Sequence, residues 1–257
     1  MSVDPLRNRF KEALTGTGPL IGFWTALGDP AAVEICAGAG FDWLLLDMEH
    51  APADLASIRA GLLACEAGGA AAVVRPPSAD PVWIKRLLDL GAQTLLLPMV
   101  ESAAEAAALA AAAHYPPKGT RGVAGQVRAA RWGGAADYWR RADATVCLLV
   151  QIESRAGLEH AAAIAAVDGV DGVFIGPADL AASLGELGRF DGPALADAMA
   201  RIGQAVRAAG KPLGTLTPDE AVAKAQLAAG YRFVAVGMDT LMLAQGTRAL
   251  KQRFGGG

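Results

Sequence analysis

Eight short runs of apolar residues alternate with helix-like segments, and this alternation limits the fold more than any other feature of the chain. The runs are rich in Val, Leu, Ile and Phe, and they lie at residues 19–26, 43–49, 71–75, 94–100, 146–153, 170–175, 212–216 and 233–238. Ala-rich or amphipathic segments separate them, such as 53–67, 80–90, 102–113, 156–166, 193–209 and 218–229. Nearly continuous apolar strands joined through helices are typical of a parallel sheet covered by helices. Eight such units in 257 residues predict an α/β fold with one closed (β/α)8 TIM barrel over residues 1–257.

Composition and charge narrow the functional class. The net charge is −3 and the Arg and Lys residues are scattered, so the sequence predicts neither a nucleic-acid partner nor a membrane surface. The Ala-rich tract at 103–113 is too short to span a bilayer, and residues 1–14 lack the apolar core of a signal peptide. Cys36, Cys65 and Cys147 are few, odd in number and far apart, which indicates reduced thiols and a cytoplasmic protein.

Polar side chains collect where the predicted strands end. A barrel enzyme builds its active site at the carboxyl ends of its strands. The residues at these positions are Asp47, Glu49 and His50, then Arg75, then Gln151 and Glu153, then Gly176 and Asp179, and finally Thr215 and Asp239. Because the strand interiors carry almost no charge, this asymmetry predicts an enzyme.

Glu153 and Asp179 follow neighbouring strands in this prediction, so we expect their side chains to lie close together. Two carboxylates at such a distance repel each other unless a cation lies between them. Oxygen ligands without paired cysteines suit a hard divalent cation, Mg²⁺, Mn²⁺ or Co²⁺, with positions left open for water or substrate. The alternative is that each carboxylate caps the following helix or pairs with an arginine such as Arg155. Gln151, on the same face of its strand as Glu153, favours the metal site.

Arg75, His50 and Asp89 are the candidates for substrate binding and proton transfer. Arg75 ends the third strand, and its planar guanidinium could bind a carboxylate through two hydrogen bonds. The alternative is a salt bridge from Arg75 to Asp47 or Glu49. His50 is the only histidine at a strand end, which favours a general acid or base. Asp89, near the end of a predicted helix, could orient His50, although it could equally be an exposed acid.

The lysines argue against a Schiff-base mechanism. None of the six lysines follows a predicted strand, and Lys211 precedes one. A Schiff base needs a lysine amine in the site, so metal-assisted chemistry is favoured. The chain also has no Gly-rich dinucleotide motif after its first strand and no Walker-type loop.

Six ordered motifs carry a family resemblance. They are LLLDMEHAP, VVRPP, LLLPMVES, KGTRGVAG with RAARWG, VQIES and GPADLAASLG. They resemble the metal-dependent (class II) pyruvate aldolases of the 4-hydroxy-2-oxoheptane-1,7-dioate aldolase and 2-dehydro-3-deoxyglucarate aldolase family, and the resemblance runs in order from about residue 19 to 240. The resemblance implies reversible cleavage of 4-hydroxy-2-oxo acids to pyruvate and an aldehyde through a metal-stabilised enolate, in the catabolism of aromatic compounds.

The resemblance also implies a role for each matching residue. Glu153 and Asp179 match metal ligands. His50 matches a general acid or base oriented by Asp89, and Asp47 supports the site. The implied substrate-binding residues are Arg75 at the ketone or enolate oxygen, Gln151, the backbone of Gly176, Pro177 and Ala178 at the pyruvate carboxylate, and Leu216.

Finally, the resemblance implies an assembly and leaves other activities open. Family members of this type form a homohexamer, a trimer of dimers, in which the last helix packs on a neighbouring subunit; here that segment is 241–250. Segment 119–133 resembles a loop that reaches the active site of an adjacent subunit. The alternatives are a CoA-thioester lyase of the citrate-lyase beta type, and an oxo-acid isomerase or binding barrel that does not cleave its ligand. The CoA-dependent activity would need a basic patch for the nucleotide, and the sequence shows no convincing one.

Overall fold

Eight parallel strands close into a barrel in the order in which they occur along the chain, in a computed structural model that describes residues 6–255. The strands are β1 (Leu20–Thr25), β2 (Trp43–Asp47), β3 (Ala71–Arg75), β4 (Thr94–Leu97), β5 (Cys147–Ile152), β6 (Gly172–Ile175), β7 (Leu213–Leu216) and β8 (Phe233–Met238). The predicted barrel and its eight strands are confirmed. β4 stops at Leu97 rather than at residue 100, because Pro98 has no N–H to donate and Met99 leaves the strand conformation with φ +54°.

One helix, α1, precedes the first strand, and the other helices follow the strands and cover the outside of the barrel. They are α1 (Arg9–Leu14), α2 (Pro30–Ala37), α3 (Leu55–Gly68), α4 (Pro81–Leu90), α5 (Ala103–Ala113), α6 (Tyr138–Thr145), α7 (Arg155–Glu159), α8 (Ala161–Ala165), α9 (Pro177–Ser183), α10 (Pro193–Ala208), α11 (Glu220–Ala228) and α12 (Asp239–Phe254). A 3₁₀ segment spans Arg128–Gly133. The single helix predicted over 156–166 is divided into two at His160.

Local signals set where helices begin and end. The Asp54 carboxylate accepts the Ser57 amide, and the Ser57 hydroxyl accepts the Asp54 amide, so α3 starts with a capping box. The same helix ends at Gly69, whose φ of +89° is left-handed. Each helix thus returns the chain to the amino-terminal face, and the loops that follow the strands all open on the opposite face.

The apolar core has two layers. The larger layer fills the space between the barrel and its helices, and the smaller one fills the barrel itself. Inside the barrel, the ring of Phe10 from α1 lies 5.8 Å from that of Trp43 and 5.6 Å from that of Phe233. α1 therefore closes the amino-terminal end of the barrel, and the functional groups are confined to the other end.

The last helix, α12, exposes apolar side chains. The exposed fractions are 63% for Met242, 57% for Leu243, 49% for Leu250 and 80% for Phe254. Within residues 6–255, no helix has the length and apolar character needed to cross a membrane.

Candidate active site

Asp47 and Arg75 form the fixed centre of the site. They are partners in the register of β2 and β3, so both side chains leave the barrel at the same height. Arg75 donates from Nε to Asp47 Oδ1 at 2.9 Å and from Nη2 to Asp47 Oδ2 at 2.6 Å. Burial opposes ionisation of Asp47, but the hydrogen bonds and charge of Arg75 outweigh it and lower the pKa of that carboxyl. The guanidinium therefore has one orientation.

Two further groups hold Arg75. Its Nη1 lies 2.8 Å from Glu49 Oε2, and its guanidinium carbon lies 4.7 Å from the ring centre of Trp24. The Trp24 indole also donates to Asp47 Oδ2 at 3.1 Å. The predicted alternative, a salt bridge to Asp47 or Glu49, is thus observed with both acids. Three of the five N–H donors of Arg75 are used, and the others remain for a ligand.

His50 lies at the outer edge of this group. Its side chain is 65% exposed, and its Nε2 is 3.9 Å from Glu49 Oε2. An exposed imidazole at the mouth can exchange protons with solvent and with a bound molecule.

Asp89 is not beside His50. Asp89 lies in the last turn of α4, near the amino-terminal face of the barrel, whereas His50 follows β2 on the opposite face. The Asp89 carboxylate instead accepts a hydrogen bond of 2.7 Å from Arg121, which also donates to the Tyr138 hydroxyl at 3.2 Å. The predicted orienting contact between Asp89 and His50 is therefore not formed within this chain.

Glu153 is held from several sides at the end of β5. Its Oε1 accepts the Met99 amide at 2.7 Å, and its Oε2 accepts Gln151 Nε2 at 2.8 Å. Gly176 lies against it so closely that a Cβ there would be 2.1 Å from Oε2. Glu153 does not cap the following helix, since the Ser154 side chain caps α7.

Asp179 faces Glu153 from the next strand connection. The register pairs Ile152 with Ile175, so Gly176 follows β6 where Glu153 follows β5, and Asp179 lies in the first turn of α9. Burial, together with the charges of Glu49 and Asp179, raises the pKa of Glu153 to about 7, although the Met99 amide favours the ionised form. Burial also raises the pKa of Glu49, with Asp47 and Asp179 adding to the effect.

The donor set fits a hard divalent cation. Burial, and then the negative charges of Glu49 and Asp179, make Glu153 costly to ionise, and a bound cation would offset that cost. Gln151 Oε1 is buried without a hydrogen-bond partner, which leaves an oxygen donor beside Glu153. Across residues 6–255 no three His, Cys, Asp or Glu side chains are arranged to hold a metal. A divalent cation held by two carboxylates would have other positions for water or substrate.

The remaining predicted substrate contacts surround these carboxylates. Gly176 is buried, Pro177 is half-buried and Ala178 is exposed, so this backbone runs from the site to the surface. Leu216 ends β7, is half-buried and packs against the inner layer of the core.

Segment 119–133 lies against its own barrel. Arg128 and Arg131 both pair with Glu66 of α3, at 3.0 and 2.8 Å. Arg121, at the start of the segment, is fixed by Asp89.

Sequence reasoning missed two groups in the site. Trp24 lies within an apolar strand, and its indole N–H does not distinguish it from an ordinary core aromatic residue. Met99 acts through its backbone amide, which has no signature in the sequence. The only local signal is Pro98, which indicates that β4 ends there.

Fold and site together define a (β/α)8-barrel enzyme whose chemistry takes place at the carboxyl ends of its strands. The chain belongs to the HpcH/HpaI aldolase/citrate lyase family, whose sequence profile matches residues 20–245. The resemblance carried by the six motifs is therefore confirmed. Membership, together with relatives named as aldolases, makes the chain an enzyme of the lyase class.

Similar proteins span nearly the whole chain. A hydroxypyruvate/pyruvate aldolase of Deinococcus radiodurans is 54% identical, covering 99% of this chain and 92% of the relative. A 4-hydroxy-2-oxovalerate aldolase of Rhodococcus jostii is 55% identical, covering 96% of each. A 4-hydroxy-2-oxo-heptane-1,7-dioate aldolase of Salmonella arizonae is 49% identical, covering 97% and 95%. The crystal structure of an HpcH/HpaI aldolase/citrate lyase family protein of Burkholderia cenocepacia superposes with a TM-score of 0.93 at 42% identity, covering 96% and 99%.

Proposed function

We propose that the chain catalyses reversible aldol cleavage of 4-hydroxy-2-oxo acids to pyruvate and an aldehyde. The observation that carries the proposal is the fixed Arg75 guanidinium at the same barrel mouth as the Glu153 and Asp179 carboxylates. An enolate needs a cation or a hydrogen-bond donor at its oxygen; Arg75 offers the donors, and the two carboxylates would hold the cation.

Glu153 and Asp179 would hold the divalent cation, Mg²⁺ or Mn²⁺ and alternatively Co²⁺. When bound, such an ion polarises a carbonyl oxygen and orients the oxo acid. Gln151 keeps Glu153 in place through its amide and has Oε1 left for a ligand or for water.

Arg75 would stabilise the oxygen on which negative charge develops. Its two remaining N–H groups are directed by Asp47, Glu49 and Trp24, so no reorganisation is needed when the charge appears. Asp47 contributes by fixing Arg75.

His50 would move the proton. In the cleavage direction the C4 hydroxyl loses its proton to the imidazole or to a water beside it, the C3–C4 bond breaks and the aldehyde leaves. The resulting enolate then takes a proton at C3 to become pyruvate. His50 suits this exchange because it stands at the mouth, open to solvent.

The substrate carboxylate would lie along the backbone of Gly176, Pro177 and Ala178, beside the two acids. Leu216 would contact the carbon chain of the substrate, since it is the apolar residue at the end of β7. Asp89 has no role in the site of its own chain in this proposal.

The chain would also form a homo-oligomer, a hexamer built as a trimer of dimers. The exposed apolar side chains of α12 support this, since burying Met242, Leu243 and Phe254 against a second copy would remove them from water. Light scattering after size exclusion, with Met242→Glu as the disrupting variant, measures the assembly. A wild-type protein that elutes as a monomer contradicts it.

The activity test starts from pyruvate and an aldehyde, such as succinate semialdehyde or glyceraldehyde, and looks for a new carbon–carbon bond. Hydroxypyruvate is a second donor to try, given the name of the Deinococcus relative. EDTA should abolish the reaction, Mg²⁺ or Mn²⁺ should restore it, and borohydride with pyruvate should not inactivate the enzyme. Borohydride inactivation, or proton exchange of pyruvate without condensation, would contradict the proposal.

A further inference from the structure

Met99 has an unusual backbone at the edge of the site. It follows Pro98 directly after β4, and its φ of +54° lies in the left-handed region, which residues with side chains rarely adopt. Its side chain is 46% exposed, so packing of the thioether does not explain this conformation.

Two successive amides on either side of Met99 face the same neighbouring strand. The Met99 N–H donates to Glu153 Oε1 at 2.7 Å, and the Val100 N–H donates to the Gln151 carbonyl oxygen at 3.1 Å. In a regular strand successive N–H groups point to opposite neighbours. Only a break in the backbone between them lets both reach β5, and the left-handed Met99 is that break. The Val100 amide thus continues the backbone pairing with β5, and the Met99 amide is left free to bind the Glu153 carboxylate.

The other sides of Glu153 leave it little freedom. Gln151 Nε2 donates to Oε2 at 2.8 Å. Gly176 packs so closely against the carboxylate that a side chain at this position would collide with it. The Met99 amide is the donor that fixes the second oxygen, Oε1.

We propose that Met99 is a positioning residue for Glu153, and that it acts through its left-handed backbone rather than through its thioether. The inference rests on the proposed metal-binding role of Glu153 and deepens it. A carboxylate whose orientation is set before a cation arrives binds that cation more tightly, and loss of such an outer partner commonly weakens metal affinity about 10–100-fold.

A pair of substitutions separates backbone from side chain. Met99→Val introduces a β-branched side chain, which disfavours a positive φ. Relaxation of the backbone would then turn the amide of residue 99 away from Glu153. Met99→Ala removes the thioether but tolerates the conformation as well as Met does. By calorimetric titration of the full chain with Mn²⁺, we expect Kd to rise about tenfold for Met99→Val and to stay at the wild-type value for Met99→Ala.

If Met99→Val does not fold, Met99→Thr and Met99→Ser repeat the comparison with polar side chains, the first β-branched and the second not. Thermal unfolding without metal shows whether each variant is folded. If the β-branched variants bind Mn²⁺ with the wild-type Kd, the positioning role of Met99 is overturned and the proposed metal site is not affected. An alanine variant weakened as much as the valine variant overturns the backbone explanation. A wild-type protein that binds no Mn²⁺ overturns the metal site, and this inference with it.

Discussion

Asp47 and Arg75 are joined by two hydrogen bonds of 2.9 and 2.6 Å across adjacent strands, with both side chains almost completely buried. This pair connects the fold to the chemistry. The register of β2 and β3 places the two residues side by side, and the fork of the guanidinium then matches the carboxylate. Arg75 is consequently oriented before any substrate binds.

Asp47→Asn should destabilise the protein, because it removes the charge that offsets the buried guanidinium. Removing one partner of a buried pair costs about 3–5 kcal/mol, and an exposed pair contributes about 0–1 kcal/mol. Glu12→Gln, which breaks the exposed pair between Arg7 and Glu12, is the matched control. Urea unfolding of both variants measures the difference, and equal midpoints would show that Asp47 does not stabilise Arg75.

Arg75→Lys should lower kcat by about 10²–10³, because lysine keeps the charge but loses the fork that holds the donors in place. Mn²⁺ affinity should be unchanged, since Arg75 is not a ligand. Arg7→Lys, at the surface, is the control. A variant with wild-type kcat would remove Arg75 from the mechanism.

Glu153→Ala should lose metal binding and aldol activity together while the barrel stays folded. The carboxylate would supply one of the two ligands from the chain, and Asp179 alone would bind weakly. Titration with Mn²⁺, activity and circular dichroism are the three measurements. Glu159→Ala, which removes an exposed acid on α7, is the control and should bind Mn²⁺ with the wild-type affinity. Retained Mn²⁺ affinity in Glu153→Ala would place the metal elsewhere.

His50→Asn should lower kcat by about 10²–10⁴, the usual contribution of a general acid or base. His160→Asn, whose ring contacts the Glu101 carbonyl oxygen, is the matched control and should be fully active. The pH dependence of kcat should flatten in His50→Asn. An unchanged profile would assign the proton transfer to another group.

The Cys65 and Cys147 thiols should be inert in the native protein, because both are buried. Burial, with a smaller contribution from Cys36, raises the pKa of Cys65 to about 12, and burial raises the pKa of Cys147 as well. At pH 8 both remain protonated and react slowly with a disulfide reagent, whereas all three cysteines react rapidly in denaturant. Above the ordinary value of 9.0 an unfolded Cys65 loses its proton and a folded one keeps it, so stability should fall as pH rises. Fast native labelling of Cys65 would contradict its burial.

The sequence by itself determined the barrel, the positions of its eight strands, the family and the acids and arginine at the mouth. They follow from two features that can be recognised within short segments of the sequence: the period of the apolar residues, and the identity of the residues directly after each strand. The strand predicted over 146–153 is the clearest example: β5 spans Cys147–Ile152, and Glu153 follows it directly.

Only the tertiary structure decided how those residues are paired. Strand register joined Arg75 to Asp47, and helix direction took Asp89 to the opposite face, where it meets Arg121. The indole of Trp24 and the amide of Met99 entered the site because packing and a backbone break aim them at it. Such contacts depend on distances between segments far apart in the chain, and no pattern within one segment encodes them.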